Sequence, residues 1–154
     1  MPTGTVSRTV HVAATPQAVF DLVSDLPGMG RLSPENTGGS WVGGSTGPGV
    51  GARFKGTNAQ GKLRWSTAVE VITCDPGKEF TFKVTSGRMS VSSWAYTIAP
   101  EGDGCQVTET WTDHRKAIIK IAGKIFTGVS DREAFTGTSI EETLAALKGH
   151  AEAA

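Results

Sequence analysis

The stretch DREAFTGTSIEETLAALKGHA, residues 131–151, decides the fold. Ala134, Gly137, Ile140, Leu144, Leu147 and Ala151 recur at steps of three and four and form one apolar stripe along a helix. Lys148 and His150 fall in its last turn, where positive charge suits the helix dipole. A lone helix of this length must bury its stripe against another layer. The rest of the chain therefore has to supply a large apolar face.

Upstream, residues 38–113 supply it. Ser40–Val42, Ala52–Asn58, Lys62–Thr73, Glu79–Thr85, Met89–Ala99 and Cys105–Asp113 read as six strands. Trp65, Thr67, Val69 and Val71 alternate on one face; so do Phe80, Phe82 and Val84, then Trp94, Tyr96 and Ile98, then Val107, Glu109 and Trp111. Turn signals separate most of them: Ala59-Gln60-Gly61, Asp75-Pro76-Gly77, Ser86-Gly87 and Pro100–Gly104. Connections this short make the sheet antiparallel. The glycine-rich run Gly43–Gly51 joins the first two strands.

The N-terminal portion adds a strand and a helix pair. Val6, Val10 and Val12 alternate within Thr5–Val12. Thr15-Pro16 reads as an N-cap followed by the first helical residue. Val19, Phe20 and Val23 then keep helical spacing, Pro27-Gly28 ends the helix, and a short second turn holds Met29 and Leu32 before Pro34. The expected class is α+β, with about seven antiparallel strands, two short helices after the first strand and a long C-terminal helix.

Composition narrows the function classes. The chain has 154 residues, which suits one domain spanning 1–154. Fifteen basic residues balance 15 acidic ones, for a net charge of +0, which argues against a nucleic-acid partner. No apolar run approaches the ~20 residues that span a bilayer, and Met1–Val10 has no signal-peptide core. The expected location is the cytoplasm. Cys74 and Cys105 lack metal or redox spacing and read as reduced, half-buried thiols. His11, His114 and His150 are scattered. Gly47-x-Gly49-x-Gly51 leads into a strand rather than a helix, so it is no dinucleotide fingerprint. Asp113-His114-Arg115 lies at a strand end, where neighbouring side chains point to opposite faces. No metal or nucleotide cofactor is assigned.

Several stretches resemble the SRPBCC (START-like, Bet v 1-like) superfamily, and more narrowly its bacterial polyketide cyclase/dehydrase-type branch. They are VHVAATPQAVFDLVSDLPGMGRLSPEN (10–36), GARFKGTN (51–58), RWSTAVEVITCDPGKEFTFKV (64–84), WAYTIAP (94–100), CQVTETW (105–111) and DREAFTGTSIEETLAALKGHAE (131–152). The resemblance implies a helix-grip fold, in which a curved sheet wraps the long helix and leaves a cavity between them. Lipid carriage, quinone or hormone binding and polyketide cyclisation all occur on this fold, so the resemblance alone does not choose among them.

Alternation then nominates the cavity lining. Phe54, Trp65, Phe82, Trp94, Tyr96 and Trp111 share the inward phase, either lining a ligand site or filling a core. Asn58 and Thr67 are candidate orienting groups on the same face, and Ile140 and Leu144 bring the helix to the expected site. Glu109 is the most informative residue. A carboxylate facing an apolar cavity has its pKa raised by desolvation, and it can bind a ligand hydroxyl or act as general acid or base. Its structural alternative is an ion pair with Arg8, in the inward phase of the first strand.

Residues 116–129 are apolar, through Ile118, Ile119, Ile121, Ile125 and Phe126, with lysines at 116, 120 and 124. They read either as a lid that touches a membrane transiently or as a packed connector. The leading expectation is a non-catalytic carrier or sensor of a small hydrophobic molecule (a lipid, polyketide or quinone), monomeric or homodimeric. The alternative is a polyketide cyclase or aromatase using Glu109, with Tyr96 as a proton donor. A third reading is a protein-interaction module with a filled core.

Overall fold

A computed structural model describes residues 4–115 and 132–153. It contains β1 (Gly4–Val12), α1 (Pro16–Ser24), a 3-10 helix (Leu26–Arg31), β2 (Asn36–Val42), β3 (Arg53–Gln60), β4 (Leu63–Asp75), β5 (Glu79–Ser86), β6 (Met89–Glu101), β7 (Gly104–Asp113) and α2 (Arg132–Ala153). The strands form one antiparallel sheet in the order β1-β7-β6-β5-β4-β3-β2. Strands β2 to β7 thus follow one another as a meander, and β1 returns to pair with β7. This is the helix-grip architecture: a curved seven-stranded sheet with a long C-terminal helix.

Local chemistry explains the element ends. Thr15 Oγ1 accepts the Ala18 N–H at 3.1 Å, and Pro16 opens α1 with a φ already suited to a helix. Val19, Phe20 and Val23 are buried beneath it. The sequence reading has Pro27-Gly28 ending α1. Instead α1 stops at Ser24, and both residues lie inside the 3-10 helix. Proline fits the first turn of such a helix, because its missing N–H needs no partner there. Arg31 binds Asp25 Oδ2 at 2.9 Å across that turn.

Two strand boundaries differ from expectation for the same kind of reason. β2 begins at Asn36, not Ser40, and a bulge between Asn36 and Gly38 precedes its regular pairing. Gly38 and Gly39 adopt φ of +110° and +137°. In sequence such glycines look like loop, while here they let an edge strand bend. In β4 a register shift between Val71 and Thr73 leaves Ile72 exposed and brings Cys74 opposite Phe80. One extra residue has reversed the strand's phase.

The core gathers Val12, Val19, Phe20, Val23, Phe80, Ile98, Val107, Ile140, Leu144 and Leu147 between the sheet, α1 and α2. α2 packs mainly against β1 and α1. Gly137 faces Val6 and Arg8 of β1, where a Cβ would lie 2.9 Å from the Arg8 guanidinium. Cys74 and Cys105 are free thiols whose pKa burial pushes up, and Cys105 is fully buried with Sγ 3.5 Å from the Ala14 carbonyl. Among the described residues no helix is long and apolar enough to cross a membrane.

Candidate functional site

A cavity of ≈ 570 Å³ lies between the sheet and α2, within the size range of small-molecule sites. Strand pairing builds one wall. Phe82 lies opposite Trp94, Trp94 opposite Trp111, and Tyr96 opposite Glu109. Inward-facing residues on neighbouring strands therefore lie side by side along one largely aromatic wall. Trp65 and Thr67 extend it onto β4, and Asn58 lies opposite Trp65 on β3. The Asn58 amide reaches Thr67 Oγ1 at 3.4 Å.

Asn58, Trp65, Thr67, Phe82, Trp94, Tyr96, Glu109 and Trp111 all line this cavity. Phe54, Ile140 and Leu144 do not, and the expectation for these three is corrected. Phe54 is closed off by the Trp41 ring, edge-on at 5.2 Å and 72°. Ile140 and Leu144 lie in the buried core that α2 forms with its packing partners β1 and α1. The adjacent helix face, Thr136, Ser139 and Thr143, meets the cavity instead.

Glu109 is 2% exposed. Its Oε2 accepts the Tyr96 hydroxyl at 2.8 Å. Its Oε1 is buried without a hydrogen-bond partner among the described residues. Desolvation pushes the carboxyl pKa up to about 8, against a smaller lowering by the Tyr96 bond. Tyr96 is itself held well above its ordinary range, first by burial and then by the neighbouring carboxylate. Arg8 lies opposite Glu109 in the β1–β7 register, yet its Nε binds Glu141 Oε1 at 3.0 Å. The Arg8–Glu109 ion pair is therefore not formed.

The C-terminal end of β7, four residues beyond Glu109, carries a second polar pair. Asp113, 1% exposed, is gripped by Arg115 through Nε to Oδ1 at 2.9 Å and Nη2 to Oδ2 at 3.0 Å. Arg115 also lines the cavity. His114 points away and meets Ser93 Oγ at 3.0 Å, so the three consecutive residues do not converge. Among the described residues no group of three or more His, Cys, Asp or Glu side chains is placed to hold a metal ion. Residues 116–129, read above as lid or connector, lie outside the described residues.

The family described as "Polyketide cyclase / dehydrase and lipid transport" matches residues 3–152. The chain belongs to this family. A solved relative, a polyketide-cyclase-like protein of Corynebacterium glutamicum, is 32% identical over 94% of this chain and 88% of its own, with a TM-score of 0.64. The di-domain ARO/CYC BexL of the BE-7585A biosynthetic pathway is 21% identical, with a TM-score of 0.70 over 97% of this chain and 50% of its own. A major latex-like protein of Panax ginseng is 14% identical over 96% of this chain and 97% of its own, with a TM-score of 0.71. These last two likenesses speak to the fold. No curated protein matches the chain.

Sequence reasoning passed over several residues that line the cavity of this polyketide cyclase/dehydrase-family protein. Thr136, Ser139 and Thr143 recur at helical steps beside the apolar stripe, a pattern visible in the sequence but easily taken for a solvated face. Ser92 lies two residues before Trp94 in unbroken register and shares its inward phase, so the same alternation that places Trp94 and Tyr96 reaches it. Arg115 lies two residues beyond the strand's last residue and turns back to Asp113, which no periodicity signals.

Proposed function

We propose that this protein binds one small, largely apolar molecule in the cavity between the sheet and α2, as a carrier or sensor working in the cytoplasm. The observation that carries this reading is the cavity itself, large enough for a ligand and walled by Trp65, Trp94, Trp111 and Phe82. Burying apolar surface against these rings supplies affinity at roughly 25 cal/mol per Å². The Tyr96–Glu109 pair adds a polar contact that fixes orientation. Three tryptophans at the site give a direct test. Titration with lipid, quinone and polyketide panels should quench tryptophan fluorescence saturably, at one ligand per chain. A panel-wide absence of saturable quenching would remove this reading.

The Glu109 environment favours a second reading, a polyketide cyclase. A buried carboxyl with a pKa of about 8, in the lining of a cavity and with one oxygen unpartnered among the described residues, suits general acid–base chemistry at neutral pH. In an aldol condensation its O–H would protonate the ketone oxygen under attack while the attacking enol releases its O–H proton to water; in the dehydration the carboxylate would take the α-proton and pass it to the departing hydroxyl, which leaves as water, and solvent would return a proton to the carboxylate. Turnover of a poly-β-keto thioester to a cyclised product, lost in Glu109→Gln, would favour this reading over carriage.

A further inference from the structure

The helix side of the cavity carries a row of hydroxyls. Thr136, Ser139 and Thr143 follow one another along α2 at steps of three and four, so they share one side of the helix, and all three line the cavity. Each is at least nine-tenths buried. A serine or threonine inside a helix commonly returns its hydroxyl to the carbonyl one turn back. Thr143 does so, donating Oγ1 to the Ser139 carbonyl at 2.8 Å, and so does Thr138, to the Ala134 carbonyl at 3.3 Å. Thr136 and Ser139 do not, and their hydroxyls have no hydrogen-bond partner among the described residues. Ser92, 4% exposed on the sheet side of the cavity, is in the same state.

Access separates these groups from Glu109. Among the described residues, Oε1 of Glu109 is the one buried side-chain oxygen or nitrogen that is both inaccessible and unpartnered. The hydroxyls of Thr136, Ser139 and Ser92, equally unpartnered, therefore keep accessible surface, and the space beside them is the cavity they line. A hydroxyl donates and accepts, so it pairs with a carbonyl or with another hydroxyl. A hydrocarbon packed against it leaves it unsatisfied and loses affinity, whereas a ligand oxygen at the same place does not.

We infer that α2 is the wall that selects the ligand, the hydroxyls of Thr136 and Ser139 receiving the carbonyl or hydroxyl oxygens of a ring compound. The two residues lie about one helical turn apart, within reach of one edge of a ring system. The sheet side, through Trp65, Trp94 and Trp111, supplies aromatic surface on which ring faces stack. The inference rests on the cavity-binding reading above and narrows its ligand to oxygenated rings, with Thr136 and Ser139 as the residues that set specificity.

The test is calorimetric titration of the full chain with 2-ethylnaphthalene, 2-acetylnaphthalene and 2-naphthol. The readout is the affinity of each oxygenated probe relative to the ethyl probe, because a probe's own hydration is the same for every variant. Each variant is first checked for the wild-type circular dichroism. Thr136→Val/Ser139→Ala removes both hydroxyls and should lower that ratio roughly fivefold or more. The ethyl probe should bind it at least as well as the wild type. Thr136→Ser/Ser139→Thr keeps both hydroxyls and should keep the wild-type ratio. A fall for the acetyl probe alone supports the inference with a quinone-type carbonyl as the recognised group, and a fall for naphthol alone supports it with a phenol. An unmoved ratio in Thr136→Val/Ser139→Ala, with all three probes bound, would overturn the inference and leave the cavity reading intact. A ratio that falls only in Ser92→Ala would move recognition to the sheet and contradict the assignment to α2. Tighter binding of laurate than of either oxygenated ring would overturn the choice of a ring. Failure of all four probes to bind would overturn both the inference and the reading beneath it.

Discussion

The Tyr96 hydroxyl donates to Glu109 Oε2 at 2.8 Å from directly across the β6–β7 pair, and it is the only hydrogen bond the buried carboxyl receives from the described residues. One bond is too few for a carboxylate, whose two oxygens have about four acceptor sites. The group is therefore tuned towards its neutral form, and the pair governs how stability and binding respond to pH.

Stability should fall as pH rises between about 4.5 and about 8. The folded pKa of Glu109 lies above its unfolded value, so over that window the native state holds a proton that the unfolded state has released. The cost is fully present above pH 8 and is on the order of 5 kcal/mol. Chemical denaturation of wild type and Glu109→Gln at pH 5, 7 and 9 should show a slope in the first and a much flatter profile in the second.

Tyr96→Phe should raise the Glu109 pKa further. The Tyr96 bond favours the charged carboxylate, and removing it leaves both oxygens bare. Carboxyl carbon chemical shifts followed by NMR against pH should show the midpoint moving upward from about 8. Stability at neutral pH should drop by about 1–2 kcal/mol.

Arg115→Met should destabilise by roughly 3 kcal/mol, because it strips the bidentate partner from a nearly inaccessible Asp113. Arg115→Lys should cost clearly less. Thermal denaturation of both variants separates loss of charge from loss of the fork.

Two faces of α2 should behave differently on truncation. Leu147→Ala removes a fully buried side chain from the core and should cost about 2–5 kcal/mol. Ser139→Ala, at the cavity lining, should cost well under 1 kcal/mol, since its hydroxyl has no hydrogen-bond partner among the described residues. Parallel denaturant unfolding curves check the contrast.

These faces also mark what the sequence made legible. The alternation of Trp94, Tyr96 and Ile98 and of Val107, Glu109 and Trp111 placed the aromatic wall, because an unbroken strand has a strict period of two. The length of α2 and its apolar stripe required a sheet to cover it. Legibility ended where the backbone departs from regular geometry. Gly38 and Gly39 hid the start of β2, and the bulge at Ile72 turned Cys74 inward. A helix stripe shows that one side is buried but not how far the cavity wraps around it, so Ile140 and Leu144 were assigned to the ligand in place of Thr136 and Ser139. The partner of Glu109 was Tyr96 rather than Arg8, because Glu141 on α2 captures the arginine.

Native mass spectrometry of the purified protein, with organic extraction of anything bound, tests the central claim most directly. The wild type should carry one small molecule per chain, or take one up on incubation with the lipid, quinone and polyketide panels. Ser139→Trp, which places an indole in the cavity, should carry none while keeping the wild-type circular dichroism. A wild type that stays free of adduct under both conditions, or an adduct that persists unchanged in Ser139→Trp, would contradict a ligand held between the sheet and α2.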